Sequence, residues 1–241
     1  MVNPSLTGAA RQARTKGELG VLVPTLDAAA GLPATLAAVA GQVAEVVVAD
    51  GGSTDGTQAL AAAAGARVVQ APRGRGSQLA AGAAALTAPW VLVLHADTLP
   101  GPGWAEQAAR FMADPANAGR AGHFRFALDD AAPQARRLER MVAWRCRALG
   151  LPYGDQGLLI RRGFLEALGG FRPIPIMEDV DLVRRIGRRR IVALEAAFVT
   201  SAARWRREGW WRRSARNLAC LSLFLAGVAP ERIARLYARR R

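Results

Sequence analysis

Three short stretches of this chain combine carboxylates and small residues at a spacing suited to nucleotide and metal chemistry. The first is Asp50-Gly51-Gly52-Ser53-Thr54-Asp55-Gly56-Thr57. Asp50 closes an apolar run, Gly51 and Gly52 let backbone approach a ligand closely, and Ser53, Thr54 or Asp55 can cap a following helix. The second is Leu94-His95-Ala96-Asp97-Thr98. Side chains two apart on an extended chain point the same way, so His95 and Asp97 can hold a divalent cation. Mg²⁺ favours oxygen ligands, while Mn²⁺ tolerates the imidazole better, and either ion would neutralise a diphosphate leaving group. The third is Glu178-Asp179, just ahead of the helical run Val180 to Ile186. Either carboxylate suits a helix N-cap, and either suits a general base within hydrogen-bond reach of an acceptor hydroxyl. A fourth stretch, Gly74-Arg75-Gly76-Ser77-Gln78, precedes a helix whose N-terminus favours phosphate. It lacks the Gly-Lys-Ser/Thr ending of a Walker loop and is not a full dinucleotide fingerprint.

These stretches need elements to position them. Leu19 to Leu26, Ala44 to Asp50, Ala66 to Gln70 and Trp90 to Leu94 read as short buried strands. Between them, Leu32 to Ala40, Thr57 to Ala64 and Gly76 to Leu86 carry helical spacing, with Gly65 placed to end the second. This β-α-β-α-β-α-β rhythm predicts an α/β fold, a mostly parallel sheet with helices on both faces. Ligands in such sheets bind beyond the C-terminal strand ends, where Asp50 and Asp97 lie. After Asp97 the pattern changes. Helices are expected at Trp104 to Met112, Pro133 to Leu149, Gly163 to Leu168 and Asp179 to Arg185, and strands at His123 to Leu128 and Gly157 to Arg161. The 133–149 helix is expected to bury Leu138, Met141, Trp144 and Ala148 on one face. An amphipathic tail helix is expected over Gly209 to Leu225, with Trp210, Trp211, Arg212, Arg213 and Arg216 near its start.

The 241 residues, 51% of them apolar, fit one α/β domain with a decorated C-terminus and exclude general disorder. The domain spans 18–205, between a flexible basic N-terminus at 1–17 and a basic helical extension at 206–241. Cys146 and Cys220 lie far apart without metal-ligand spacing and read as core residues in a reducing compartment. Residues 1–17 lack the apolar segment of a signal peptide, and no run reaches the roughly 18–20 apolar residues of a spanning helix. A cytoplasmic protein, or one attached to the cytoplasmic face of a membrane, is expected. Residues 181–241 hold 16 Arg against four acidic residues, a net +12 of the total +14. That concentration favours an anionic partner, with an anionic membrane surface met through residues 204–241 ahead of nucleic acid.

The stretches occur in an order that resembles family-2 glycosyltransferases of the GT-A fold, a Rossmann-like sheet flanked by helices. The resemblance is greatest to the compact bacterial subgroup associated with radical-SAM and selenoprotein gene neighbourhoods. It is carried by Val21-Leu22-Val23-Pro24-Thr25-Leu26, Val46 to Thr57, Pro72-Arg73-Gly74-Arg75-Gly76, Leu94 to Thr98, Leu151-Pro152-Tyr153-Gly154-Asp155-Gln156-Gly157, Met177-Glu178-Asp179-Val180-Asp181-Leu182, and Thr200 to Trp205. It implies that Pro24, Thr25 and Asp50 line the nucleoside pocket, with Asp50 on the base or ribose. Asp27, Gly52, Ser53, Arg73 and Gly76 complete the nucleotide-sugar contacts. Asp97 is the metal carboxylate, with His95 beside it, and the ion is Mn²⁺ or Mg²⁺. Asp179 is the base, with Glu178 next to it. Tyr153, Gly154, Asp155, Gln156, Arg204 and Trp205 shape the acceptor and diphosphate region. The implied reaction is inverting transfer from a nucleotide-diphosphate sugar, UDP-sugars first, to a hydroxyl acceptor.

Two departures stand out. The family commonly has Asn-Glu after the first strand, where this chain has Asp27-Ala28, so Asp27 must substitute from one residue away. His95 replaces the first acid of the metal motif. A sugar-phosphate nucleotidyltransferase would need a Gly-rich basic loop after the first strand, where Pro24-Thr25-Leu26-Asp27-Ala28 stands instead. A catalytically degenerate nucleotide-binding or membrane-associated protein of the same fold is the remaining alternative.

Overall fold

The computed structural model describes residues 15–238, so only part of the expected N-terminal segment lies within it. Thr15 to Glu18 form one helical turn with Thr15 buried, and residues 1–14 lie outside the described residues. The strands are β1 (Leu19–Thr25), β2 (Glu45–Asp50), β3 (Arg67–Gln70), β4 (Trp90–Val93), β5 (Thr98–Pro100), β6 (Ala121–Leu128), β7 (Leu158–Arg161) and β8 (Ile191–Thr200). The helices are α1 (Leu32–Val39), α2 (Thr57–Ala63), α3 (Arg75–Ala85), α4 (Trp104–Ala113), α5 (Pro133–Leu149), α6 (Arg162–Ala167), α7 (Glu178–Ile186), α8 (Ala203–Glu208), α9 (Trp210–Leu225) and α10 (Pro230–Ala238).

All eight strands form one sheet in the order β3-β2-β1-β4-β7-β6-β8-β5. The first four strands in that order run parallel, as the alternation of strand and helix predicts. β7 runs antiparallel to β4 and β6, β6 and β8 run parallel, and β5 returns antiparallel beside β8. β1, β2 and β4 read as continuous apolar runs because both faces of that part of the sheet are covered, whereas the edge strand β3 has no buried residue. Leu19, Val21 and Val23 pack with Leu32, Leu36 and Val39 of α1 and Trp104 of α4. Leu22, Val47 and Val91 pack on the other face with Leu79 of α3 and Leu182 of α7.

Several boundaries and faces differ from expectation. In α5 the buried positions are Ala135, Val142 and Cys146, while Met141 and Trp144 stay 55% and 60% exposed. Leu138 packs inward as expected, with Phe126, Leu128 and Trp205, so only part of the expected stripe is turned outward. The expected division at 205/206 runs through α8, and α9 continues the fold by packing Leu221 and Phe224 against Leu151, Val180 and Val183. Both cysteines are free and buried. Among the described residues no helix is long and apolar enough to cross a membrane.

Candidate active site

The C-terminal ends of β1, β2 and β4 open onto one crevice. Thr25 and Asp50 are register partners at the ends of β1 and β2, and the Thr25 hydroxyl donates to Asp50 Oδ1 at 2.9 Å. Asp50 Oδ2 accepts from the amides of Gly52 (3.0 Å) and Ser53 (2.8 Å) and from Gln58 Nε2 (2.8 Å), while the Ser53 hydroxyl donates to Oδ1. These donors hold its carboxyl below the usual carboxylate range, against the opposing effect of burial, which is the largest single influence. Asp50 is fully buried with both oxygens engaged. It therefore shapes the Gly51–Ser53 turn and has no surface left for a base or ribose, contrary to expectation.

That turn is tied to the loop after β1. Asp27 sits in the left-handed region at φ 48°, is exposed, and accepts from the Thr54 amide at 3.0 Å. The Asp27 amide donates to Ser53 Oγ, and the Ala29 amide to Asp55 Oδ2, both at 2.9 Å. Asp55 also receives the Thr57 amide at 3.1 Å, while the residue preceding α2 is Gly56. Gln78 of α3 is buried beneath, its amide nitrogen donating to the carbonyls of Thr25 and Ala49. Pro24 lies half-buried in β1 opposite Ala49.

The second part of the crevice gathers the charged residues. Arg75, in the first turn of α3, makes an ion pair with Glu178 Oε1 at 2.9 Å and reaches His95 Nε2 at 2.7 Å. Asp179 Oδ2 accepts from the Gly154 amide at 2.9 Å, and Oδ1 from the Val180 amide at 2.8 Å. Met177, at φ 66°, precedes α7, so neither Glu178 nor Asp179 is its N-cap. Both lie in the first turn, where negative charge is favoured. Gly154 occupies the middle of the group. A Cβ there would lie 2.6 Å from an Arg75 guanidinium nitrogen and 2.8 Å from His95 Nε2, so a side chain enters only if those groups shift. Gly154→Ala is expected to displace the Arg75–His95 contact while the fold persists, because the guanidinium end can move. Turnover should fall about 10²-fold, the effect of an ångström-scale misplacement, with little change in thermal midpoint.

Asp97, half-buried after β4, makes no side-chain hydrogen bond among the described residues. The chain of Gly31 presses against Ala96 and Asp97, and Thr35 Oγ1 donates to the Ala96 carbonyl at 3.0 Å. Asp97 is near enough to Arg75 and Asp155 to influence both electrostatically. His95 is held well below its usual pKa by burial first, then by Arg75 and Arg204. It is a neutral imidazole whose Nε2 is turned to Arg75. With Nε2 engaged by Arg75, only Nδ1 is left for the ion expected beside Asp97. Among the described residues no cluster of three or more His, Cys, Asp or Glu side chains is arranged to hold a metal. The half-buried carboxylate of Asp97 nevertheless fits Mg²⁺ or Mn²⁺, which take one or two protein carboxylates together with substrate phosphate oxygens.

Burial dominates the two other acids. Asp155 is raised to about 6, and Glu178 to about 7 despite the opposing pull of Arg75. A raised carboxyl favours the native state at low pH, and that stability is lost as pH rises through the native value. Thermal midpoints should therefore decline from about pH 4.5 towards 7. Glu178→Gln should flatten that decline, leaving the smaller contribution of Asp155; an unchanged slope would show that Glu178 titrates normally.

The remaining expected residues divide. Tyr153 lies under Arg145, whose guanidinium is 3.4 Å from the ring centroid, and its amide donates to Gln156 Oε1 at 3.1 Å. Gln156 is buried and holds the loop together. Arg204 is exposed near His95. Arg73 is exposed and has no hydrogen bond or ion pair among the described residues. Gly76 does not offer its amide to phosphate: that N–H donates to the Ile174 carbonyl at 3.3 Å, and the backbone of Arg172 and Ile174 fills the space beside its Cα. Trp205 is likewise a packing residue. It lies in a core with Phe126, Val142 and Cys146, stacked on Trp210 with ring centroids 5.9 Å apart. Arg213 and Arg216 are largely buried against Glu208, so part of the tail's positive charge is spent internally. Arg75 and Gln78 belong to the fourth stretch, but its pattern assigns neither a role of its own. A cation in the first turn of a helix opposes the helix dipole, and that unfavourable placement was the available signal for Arg75.

Residues 20–169 match the family described as Glycosyl transferase family 2. Uncharacterized glycosyltransferases of Mycobacterium bovis and Mycobacterium tuberculosis are each 46% identical over 78 residues, 32% of this chain. That stretch spans only 35% of the length of these curated relatives. Among solved structures, glucosyl-3-phosphoglycerate synthase from Mycobacterium tuberculosis, in complex with Mn²⁺, UDP and glucosyl-3-phosphoglycerate, aligns with a TM-score of 0.58 at 23% identity. The alignment covers 82% of this chain and 76% of that one. The same enzyme with Mn²⁺, UDP-glucose and phosphoglyceric acid aligns at 0.59 and 22%, over 81% and 76%. This likeness is one of fold and shows the GT-A architecture. With the family match covering the β1–β2–β4 crevice and the loop at Gly154, the chain belongs to glycosyl transferase family 2.

Proposed function

We propose that this chain transfers a sugar from a nucleotide-diphosphate sugar, UDP-sugars first, to a hydroxyl acceptor with inversion at the anomeric carbon. The observation that carries the reading is the hydrogen bond from the Gly154 amide to Asp179, which fixes a carboxylate beside Arg75 and His95 at the crevice. The UDP and Mn²⁺ complexes of glucosyl-3-phosphoglycerate synthase, on a similar fold, support it. Gly52, Ser53 and Asp27 form the nucleoside end of the pocket, with Thr25, Asp50 and Gln78 bracing them from below. Asp97 would hold a divalent cation, which supplies charge neutralisation at the diphosphate when bound. Arg75 contributes a fixed positive charge to the same region. Asp179 accepts the proton of the acceptor hydroxyl, whose oxygen forms the new glycosidic bond as the bond to the nucleoside diphosphate breaks.

A thermal-shift panel of UDP-, GDP- and dTDP-sugars with and without Mn²⁺ tests the reading. One donor class should raise the midpoint, and more so with the ion, because ligands that bind only the native state stabilise it by mass action. No shift with any donor would contradict it.

A further inference from the structure

We propose that the groove beneath α5 is a second ligand site, built for an amphiphilic anion: an apolar body carrying a phosphate or carboxylate. The groove lies between α5 and the β6–β8 pair and has a volume of about 610 Å³, within the 300–1,000 Å³ usual for small-molecule sites. It goes beyond the donor crevice, which other residues line. Its walls are largely apolar, with Val142 and Ala143 of α5 facing Ile191 and Leu194 of β8. A register shift between His123 and Arg125 in the β6–β8 pairing lies in the same part of β6.

Charge at the mouth selects the occupant. Arg125, Arg147 and Arg188 are exposed on the groove, and none has a carboxylate within ion-pair distance among the described residues. Arg188 donates to the Arg147 carbonyl at 3.2 Å, which ties its guanidinium to the last turn of α5. Of the two acids there, Glu139 is committed to Arg136 at 2.7 Å and to the Leu128 amide at 2.8 Å, leaving Glu195 alone against three cations. An anionic head is therefore favoured at the mouth and an apolar body within.

The floor is polar and joins the groove to the chemistry. Gln156 and His123 are 2% and 6% exposed. The His123 contacts are at Nδ1, to the Phe124 carbonyl (3.2 Å) and Gln156 (3.3 Å), and Nε2 has no hydrogen-bond partner among the described residues. His123 also borders the small cavity shared by Arg75, Gly154 and Asp179. Gln156 accepts from the Tyr153 amide at the start of the loop that holds Asp179. An occupant would thus sit one side chain away from the Asp179 loop.

Calorimetric titration of the full chain with monomeric decyl phosphate, decanol and inorganic phosphate tests this. Decyl phosphate should bind saturably with one site and at least tenfold more tightly than either of its halves. Arg188→Glu should weaken it at least tenfold, and Ala143→Trp, which fills the groove from an exposed helix position, should abolish it. Binding no tighter than that of decanol overturns the proposal. So does binding that survives both substitutions, or binding that is lost instead with Trp211→Ser on the exposed face of α9.

Discussion

Asp179→Asn is expected to lower sugar transfer by 10²- to 10⁴-fold, the usual contribution of a positioned general base, while UDP affinity stays within about twofold. The substitution preserves size and one acceptor oxygen. Asp179 accepts from both Gly154 and Val180, and the amide can keep only one of those bonds in full. The larger change is chemical, since an amide cannot take the acceptor's proton. Because the donor contacts proposed above lie on β1, β2 and Asp97, binding and turnover should separate. Turnover with labelled donor, set beside calorimetry of UDP, reads both quantities. Wild-type turnover in the variant would remove Asp179 from the role of base.

Asp97→Ala is expected to abolish the Mn²⁺-dependent part of UDP binding, weakening the Kd at least tenfold in the presence of the ion and leaving the metal-free Kd unchanged. A half-buried carboxylate without a side-chain hydrogen bond adds little to stability. The thermal midpoint of the free protein should accordingly stay close to that of the wild type. Any loss of affinity can then be assigned to the ion rather than to unfolding. Calorimetry with and without Mn²⁺ separates the two contributions, and equal binding by variant and wild type would take the ion away from Asp97.

The parallel half of the sheet was legible because β1, β2 and β4 carry continuous apolar runs and the intervening stretches carry helical spacing. The other half was harder. β8 has the composition Ile-Val-Ala-Leu-Glu-Ala-Ala-Phe-Val-Thr, and its pairing with β6 shifts register partway, so no clean alternation marks it. In α5 Leu138 packs inward as expected, whereas the positions buried with it are Ala135, Val142 and Cys146 rather than the larger Met141 and Trp144. Trp205 is expected in the acceptor region from the family resemblance alone, and its stacking on Trp210 makes it core.

At the site, residue type and position brought Asp97 after β4 and Asp179 in the first turn of α7 forward as candidates, and the roles proposed for them rest on the tests above. Asp50 was found for the right place but the wrong task, because the donors that saturate it come from Thr25, Gln58 and its own turn, a crowding invisible in spacing. The role of Arg75 was not legible within its loop because its partners, His95 and Glu178, lie 20 and more than 100 residues away. Gly76 was misread for the opposite reason. A glycine at a helix start suggests phosphate, but here the backbone of Arg172 and Ile174 claims the space.

The central claim is that a nucleoside diphosphate lies across the ends of β1, β2 and β4 and reaches the Gly154–Asp179 contact. Titrating UDP with Mg²⁺ into ¹⁵N-labelled protein, and following amide shifts by NMR, tests that most directly. The amides of Gly52, Ser53, Thr98 and Gly154 are predicted to move together and saturably. Shifts confined to the groove beneath α5, or no shifts at all, would contradict the account.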